Sequence, residues 1–247
     1  MDEIVIDAAG MHYTPLNKQI RAAVAAGAKH IRLDNVLGQR FIANGVRGDV
    51  AIEIHGVPGG DLGMFMSGPR LEVFGNAEHA PGNTMDAGKI VVHGSAGDAV
   101  GHSMRGGRIF VEGPIGYRGG IHMKQYEEKR PVLVIGEYAR AFLGEYMAGG
   151  TVLVLARHGG PAVAERGLGS GIHGGEIVLR GGIDPQYLGV GAKEVPLSDD
   201  DWVRVLSLIR EFSRHFGIDP VPLEKRDEYT RIVPASARPF ANKYAWE

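Results

Sequence analysis

Three features of the sequence predict an all-β fold: a single-stranded, right-handed parallel β-helix of about seven coils, with short helical caps at both ends. Glycine is unusually frequent, at 38 of 247 residues, roughly twice the usual ~7%. The excess is periodic, recurring in a unit of nineteen residues. Each unit holds one strand with period-2 apolar alternation and no segment with helical apolar spacing.

Residues 1–30 are expected to form the N-terminal cap. Thr14-Pro15 reads as an N-cap followed by proline, Leu16, Ile20 and Val24 lie on one face, and Gly27 closes the helix. Residues 31–181 are expected to form the coils. Ile31 to Gly56 looks like an irregular first turn, and Val57 to Gly75, Asn76 to Gly94 and Ser95 to Gly113 are nineteen residues each. Pro114 to Gly136 has four added residues around Tyr126-Glu127-Glu128-Lys129, Glu137 to Ala156 has one, and Arg157 to Gly181 is a longer, degenerate copy. Within the unit, Gly63, Gly82, Gly101, Gly120 and Gly144 share a column, which suggests a corner with positive φ or a close backbone approach. Met66, Met85, Met104, Met123 and Met147 share another and are expected to stack inside. The inward strand residues are expected to be Leu71 and Val73, Ile90 and Val92, Ile109 and Val111, Val132 and Val134, Val152 and Val154, and Ile177 and Leu179.

A nineteen-residue unit is too short for a strand–helix–strand crossover, so each coil must bury its inner face against its neighbours. A left-handed hexapeptide helix would need a period in multiples of six. Residues 182–247 are expected to form a helix and an extended tail. Ser198 followed by Asp199, Asp200 and Asp201 starts the helix, and Gly217 ends it. Trp202, Val205, Ile209, Phe212 and Phe216 form its apolar face, expected to cover the last rung. Beyond Ile218, Pro220, Pro222, Pro234 and Pro239 indicate a tail that gains order by contacting a partner or a second copy.

Composition removes several function classes. Without cysteine there is no disulfide, thiolate nucleophile, cysteine zinc site or ordinary iron–sulfur ligation. A net charge of -2 gives no footprint for nucleic acid or an anionic membrane. No apolar run reaches a membrane span and Met1-Asp2-Glu3 lacks a basic leader, so a cytoplasmic location is expected.

The segments NVLGQRFI (35–42), GGDLGMFM (59–66), VFGNAEHAPGNTM (73–85), GDAVGHSMRGG (97–107), GYRGGIHMK (116–124), FLGEYMAGG (142–150) and GIHGG (171–175) resemble the glycine-rich GXGXG domain. That domain is shared by the C-terminal part of the glutamate synthase large subunit and a subunit of formylmethanofuran dehydrogenase. The pattern over 116–150 resembles glutamate synthase more than the formylmethanofuran enzyme, and the terminal segments, including Arg231-Ile232-Val233-Pro234, also resemble those around the glutamate synthase domain. The resemblance implies a scaffold without catalytic, cofactor or metal residues of its own. It would pack beside a glutaminase-type amidotransferase subunit and an FMN-binding synthase subunit, which would carry the FMN and the iron–sulfur cluster. Self-association is a further possibility. A glutaminase of that type needs an N-terminal cysteine nucleophile, and this chain has none. The alternatives are the equivalent subunit of a formylmethanofuran dehydrogenase or formyltransferase/hydrolase complex, or of an N-methylglutamate synthase. A free-standing β-helix enzyme would need acidic and basic residues in line on one face, and none are visible.

The remaining site signals have structural explanations. Gly169-Ser170-Gly171-Ile172-His173-Gly174 spells G-x-G-x-x-G, but a strand rather than a helix should follow, so these are expected to be corner glycines. His102 and His122 fall in neighbouring columns, and His55 and His93 precede rung-closing glycines, yet no carboxylate column completes a metal site. Asp61 and Asp98 are expected to bond their own turns. The charged loop of Lys124, Glu127, Glu128, Lys129 and Arg130 is the best candidate for a partner contact.

Overall fold

In the computed structural model, which describes residues 3–236, nine strands lie side by side in sequence order and in parallel. They are β1 (Ile4–Asp7), β2 (His30–Leu37), β3 (Ala51–Val57), β4 (Ser67–Phe74), β5 (Ala87–Val92), β6 (Arg108–Val111), β7 (Val132–Ile135), β8 (Ala148–Val154) and β9 (Gly174–Arg180). From β3 onward each neighbour follows after a single coil, which makes a parallel β-solenoid. The seven strands β3 to β9 bound about six turns, one fewer than expected. The turn outside this count is the irregular first one, Ile31 to Gly56, which carries β2 into β3 with a register shift between Leu33 and Val36.

That helix, α1 (Tyr13–Ala25), buries Leu16, Ile20 and Ala23 in the same core as the first strands. Its N-cap is His12, not Thr14: His12 Nδ1 accepts the Thr14 N–H at 3.3 Å, and Thr14-Pro15 lies within the first turn. At the other end the Gly27 N–H reaches Val24 O and the Ala28 N–H reaches Ala23 O, at 2.9 and 3.1 Å. With Gly27 at φ 90°, this is a Schellman closure.

Inside the coils Met66, Met85, Met104, Met123 and Met147 are all fully buried, as their shared column predicts. Val46 and Ile172 occupy the equivalent turn positions at the two ends of this stack. The strand alternation is also as expected except in β7. There Ile109 pairs with Leu133 and Val111 with Ile135, so Leu133 and Ile135 face inward, while Val132 and Val134 face out. Gly136 aligns with Glu112, one residue before the rung-closing Gly113, so alignment on glycine shifts the phase by one.

The outward-facing Val132 and Val134 are buried because α2 (Asp199–Phe216) lies over them. Its Val205, Leu208, Ile209 and Phe212 pack on Val91, Phe110, Val132, Val134, Leu153, Leu155 and Val178 from β5 to β9. The helix therefore runs across the outer faces of five rungs instead of closing the last one. Ser198 and Asp201 form a reciprocal capping box, and Gly217 ends the helix at φ 65°.

The last rung is closed by the tail. Strand β11 (Tyr229–Pro234) pairs antiparallel with β9 on one side and with β10 (Ala192–Val195) on the other. The segment from Ile218 to Pro234, expected to rest on a partner, is thus docked on its own chain. Pro239 and the rest of 237–247 lie outside the described residues.

Candidate functional site

The corner of each coil carries a recurring backbone device. Gly63, Gly82, Gly101, Gly120, Gly144 and Gly169 all have φ between 64° and 73°, and the residues two before and two after each of them are also left-handed. In the final copy all three are glycines, Gly167, Gly169 and Gly171. In the others the flanking positions are Asp61 and Phe65, Ala80 and Thr84, Ala99 and Ser103, Arg118 and His122, and Phe142 and Tyr146. A side chain in this region normally costs about 1–2 kcal/mol. Here the amides find partners alternately above and below: the Asp61 N–H reaches His79 O on the following turn at 3.0 Å, and the Gly63 N–H reaches Ile42 O on the preceding one at 2.8 Å. The flanking positions are not readable from residue type, since Phe, Ala, Arg and Tyr rarely adopt this conformation. The Gly167-Leu168-Gly169-Ser170-Gly171 copy spells the pattern out.

The corner also settles the dinucleotide pattern at Gly169 to Gly174. Gly169 and Gly171 are corner residues with φ 64° and 69°, and Gly174 begins β9, not a helix. Gly167 and Gly171 are needed for a second reason: the Phe142 and Tyr146 rings lie where their Cβ atoms would be, at 2.5 Å. The outer side of the corner is rich in aromatic and arginine groups. Arg118 sits 4.9 Å from the centre of Phe142, Arg140 4.2 Å from Tyr117, and Phe65 and Tyr146 are about half exposed.

The histidines are brought together in two groups. His102 and His122 meet edge to face at 6.1 Å, and His122 stacks on Tyr146 at 5.4 Å. Burial holds His102 below the ordinary histidine range, the His122 charge adds to this, and Asp61 opposes it. His55 and His93 do not touch: Phe74 is stacked between them at 4.8 and 4.9 Å, and His93 Nε2 pairs with Glu72 at 3.0 Å. Among the described residues no three His, Asp or Glu side chains are placed to hold a metal ion. Asp61 and Asp98 act between rungs rather than on their own turns. Asn83 Nδ2 donates to Asp61 at 2.9 Å, and the Tyr117 N–H donates to Asp98 at 2.8 Å.

Two charged networks fasten α2. Glu176, on β9, accepts from Thr151, Arg204 and Arg231, and the two arginines also meet Asp201. Glu211 is flanked by Lys89 and Arg108. Burial would raise the Asp201 carboxyl, but hydrogen bonds from Ser198 and Arg204 and the charge of Arg231 overcome this and bring it to about 2. Both networks are therefore occupied in holding the fold together. Among the described residues, no helix is long and apolar enough to cross a membrane.

The left-handed triplets have the every-second-residue spacing of a G-x-G-x-G pattern, and the sequence profile of the GXGXG motif family matches residues 13–220. The chain belongs to the GXGXG motif family. The match takes in α1 and α2 as well as the coils, so it exceeds the 31–181 stretch that carried the resemblance. An uncharacterized protein of Methanocaldococcus jannaschii is 55% identical over 253 aligned positions, spanning 99% of this chain and 97% of the relative. The similarity to this relative runs over nearly the whole of both chains, the terminal segments included.

Proposed function

We propose that the chain is a scaffolding subunit of a glutamate synthase-type complex, one that supplies shape and contact surface rather than reacting groups. The observation that carries this is the use made of its regular positions. In each coil the inward residues fill the core, the corner triplet spends its amides on neighbouring turns, and the polar side chains singled out by sequence, Asp61, Asp98 and His93, bond neighbouring rungs. Membership of the GXGXG family supports the glutamate synthase-like assignment. In this role a glutaminase-type amidotransferase chain and an FMN-binding synthase chain dock on the solenoid, and the FMN and the iron–sulfur cluster belong to them. The corner face, with half-exposed Phe65 and Tyr146 beside Arg118 and Arg140, has the aromatic and arginine composition enriched in protein interfaces.

The test is purification of the native complex through this chain, with identification of its partners and of the bound groups. The expected result is a fixed stoichiometry with glutaminase-type and flavin-binding chains. The flavin spectrum should be present in the complex and absent from the isolated chain. Alanine at His102, His122, Asp61 or Asp98 should leave turnover within a few-fold. Stoichiometric flavin on the isolated chain, or abolition of turnover by one of these substitutions with the complex intact, would overturn the proposal.

A further inference from the structure

In each coil the residue after the buried methionine faces outward. Asp86, Arg105 and Lys124 come from three successive turns and form one side of a depression of about 350 Å³, walled by Tyr126 and Lys129. The last two belong to the inserted loop, which folds as a hairpin. Tyr126 and Lys129 exchange backbone hydrogen bonds of 3.2 and 3.0 Å, and Glu127 turns the tip at φ 51°. Lys129 reaches back past the Arg105 rung to hold both carboxylate oxygens of Asp86, at 2.9 and 2.8 Å. Gly106 lies under the hairpin, where a Cβ would collide with the Asp86 carbonyl of the preceding turn while standing at an ordinary contact distance, 3.6 Å, from Lys129 Cβ.

This clasp leaves an unbalanced distribution of charge. The one acid lining the depression is taken by Lys129, so Arg105 and Lys124 are exposed with no carboxylate partner among the described residues. At the hairpin tip Glu127 and Glu128 are exposed with no cation paired to them among the described residues. Tyr126, 64% exposed, lies between the two patches along the chain. Two opposite patches side by side on one pinned hairpin, unpaired among the described residues, become complementary to themselves under a two-fold rotation. We infer that this face is a self-association surface. The Glu127–Glu128 tip of one chain enters the Arg105–Lys124 depression of a second copy, and Tyr126 is covered between them. This inference stands apart from the role proposed in a larger complex.

Sedimentation of the full chain tests it. At about 50 mM salt the chain should form a concentration-dependent dimer, weakened at least ~10-fold at about 500 mM salt, because exposed pairs are screened. The double variants R105E/K124E and E127K/E128K should each weaken the dimer at least ~100-fold, since each places like charges opposite one another. Mixed in equal amounts they should dimerise again, because the acidic tip of the first fits the basic depression of the second, and the reverse also holds. Unchanged thermal midpoints establish that each variant is folded. The inference is overturned if the wild type is monomeric at low salt, if either double variant dimerises as well as the wild type, or if the folded variants fail to pair in the mixture. Loss of a native-complex contact in R105E/K124E with a monomeric wild type would instead place an acidic partner segment in the depression.

Discussion

Replacing Glu176 by alanine tests what holds α2 and the tail strand to the coils. The Glu176 side chain is 5% exposed, and its oxygens accept from Arg231 Nε at 2.8 Å, Thr151 Oγ1 at 3.1 Å and Arg204 Nη2 at 3.2 Å. Asp201 is the other acid of the cluster, so two carboxylates balance two guanidiniums. Glu176→Ala leaves that cluster with one excess positive charge beside a buried strand. Breaking a buried pair by removing one partner costs about 3–5 kcal/mol. Because Arg204 and Arg231 keep some access to water, the lower end, about 3 kcal/mol, applies. For a chain of this size about 2–4 °C per kcal/mol is expected, which gives a fall in Tm of about 6–12 °C. Calorimetry measures the fall, and amide exchange should show lost protection in α2 and β11 before the inner coils. A drop of less than about 2 °C would refute the reasoning and leave the apolar face of α2 as the whole attachment.

Two further outcomes follow from the same geometry. The Asp201 carboxyl is held down to about 2 in the folded chain against the ordinary aspartate value of 3.8, so the unfolded chain takes up its proton first as the pH falls; its contribution is complete above about pH 4 and gone by about pH 2. That contribution is about 2 kcal/mol, and Asp201→Asn should flatten the acid side of the stability curve over this window. A variant curve parallel to the wild type would argue against it. In the corner column, Gly144→Ala would place a Cβ 2.4 Å from Ile177 Cδ1, whereas at Gly101 the nearest atom is 3.6 Å away, with φ 68° and 69° respectively. Both substitutions carry left-handed strain of about 1–2 kcal/mol. Gly144→Ala adds overpacking of about 1–3 kcal/mol, so chemical denaturation should separate the two, and equal losses would show that Ile177 yields freely.

The methionine and glycine columns were legible because the same side chain meets the same constraint on every turn, so alignment alone exposed them. The phase of β7 was not legible, since Val132, Leu133, Val134 and Ile135 are buried on both faces and leave no alternation. The tail strand depends on pairing Ile232 with Ile177, fifty-five positions apart, which local pattern cannot show. At the candidate sites, column spacing brought His102 beside His122, but the Phe74 ring between His55 and His93 depends on outward strand direction. The inter-rung bonds of Asp61 and Asp98 were missed because an aspartate beside a glycine looks the same whether it bonds its own turn or the next.

A stack of coils joined only to nearest neighbours should come apart gradually from its ends, as linear arrays do. Here one rod is laid across five rungs. Phe212 touches the layer that includes Phe110 of β6 and Leu153 of β8, while Lys89 of β5 and Glu176 of β9 are tied to the same helix. Opening any one of these rungs must strip contacts from a helix shared by the other four. The half of the molecule under α2 should therefore melt as one block, and it cannot gain or lose a coil without breaking the fit of Val205, Ile209 and Phe212. Among the described residues no helix is laid across the outer faces of β1 to β4 in this way, so that half is where the solenoid can vary in length and where fraying should begin.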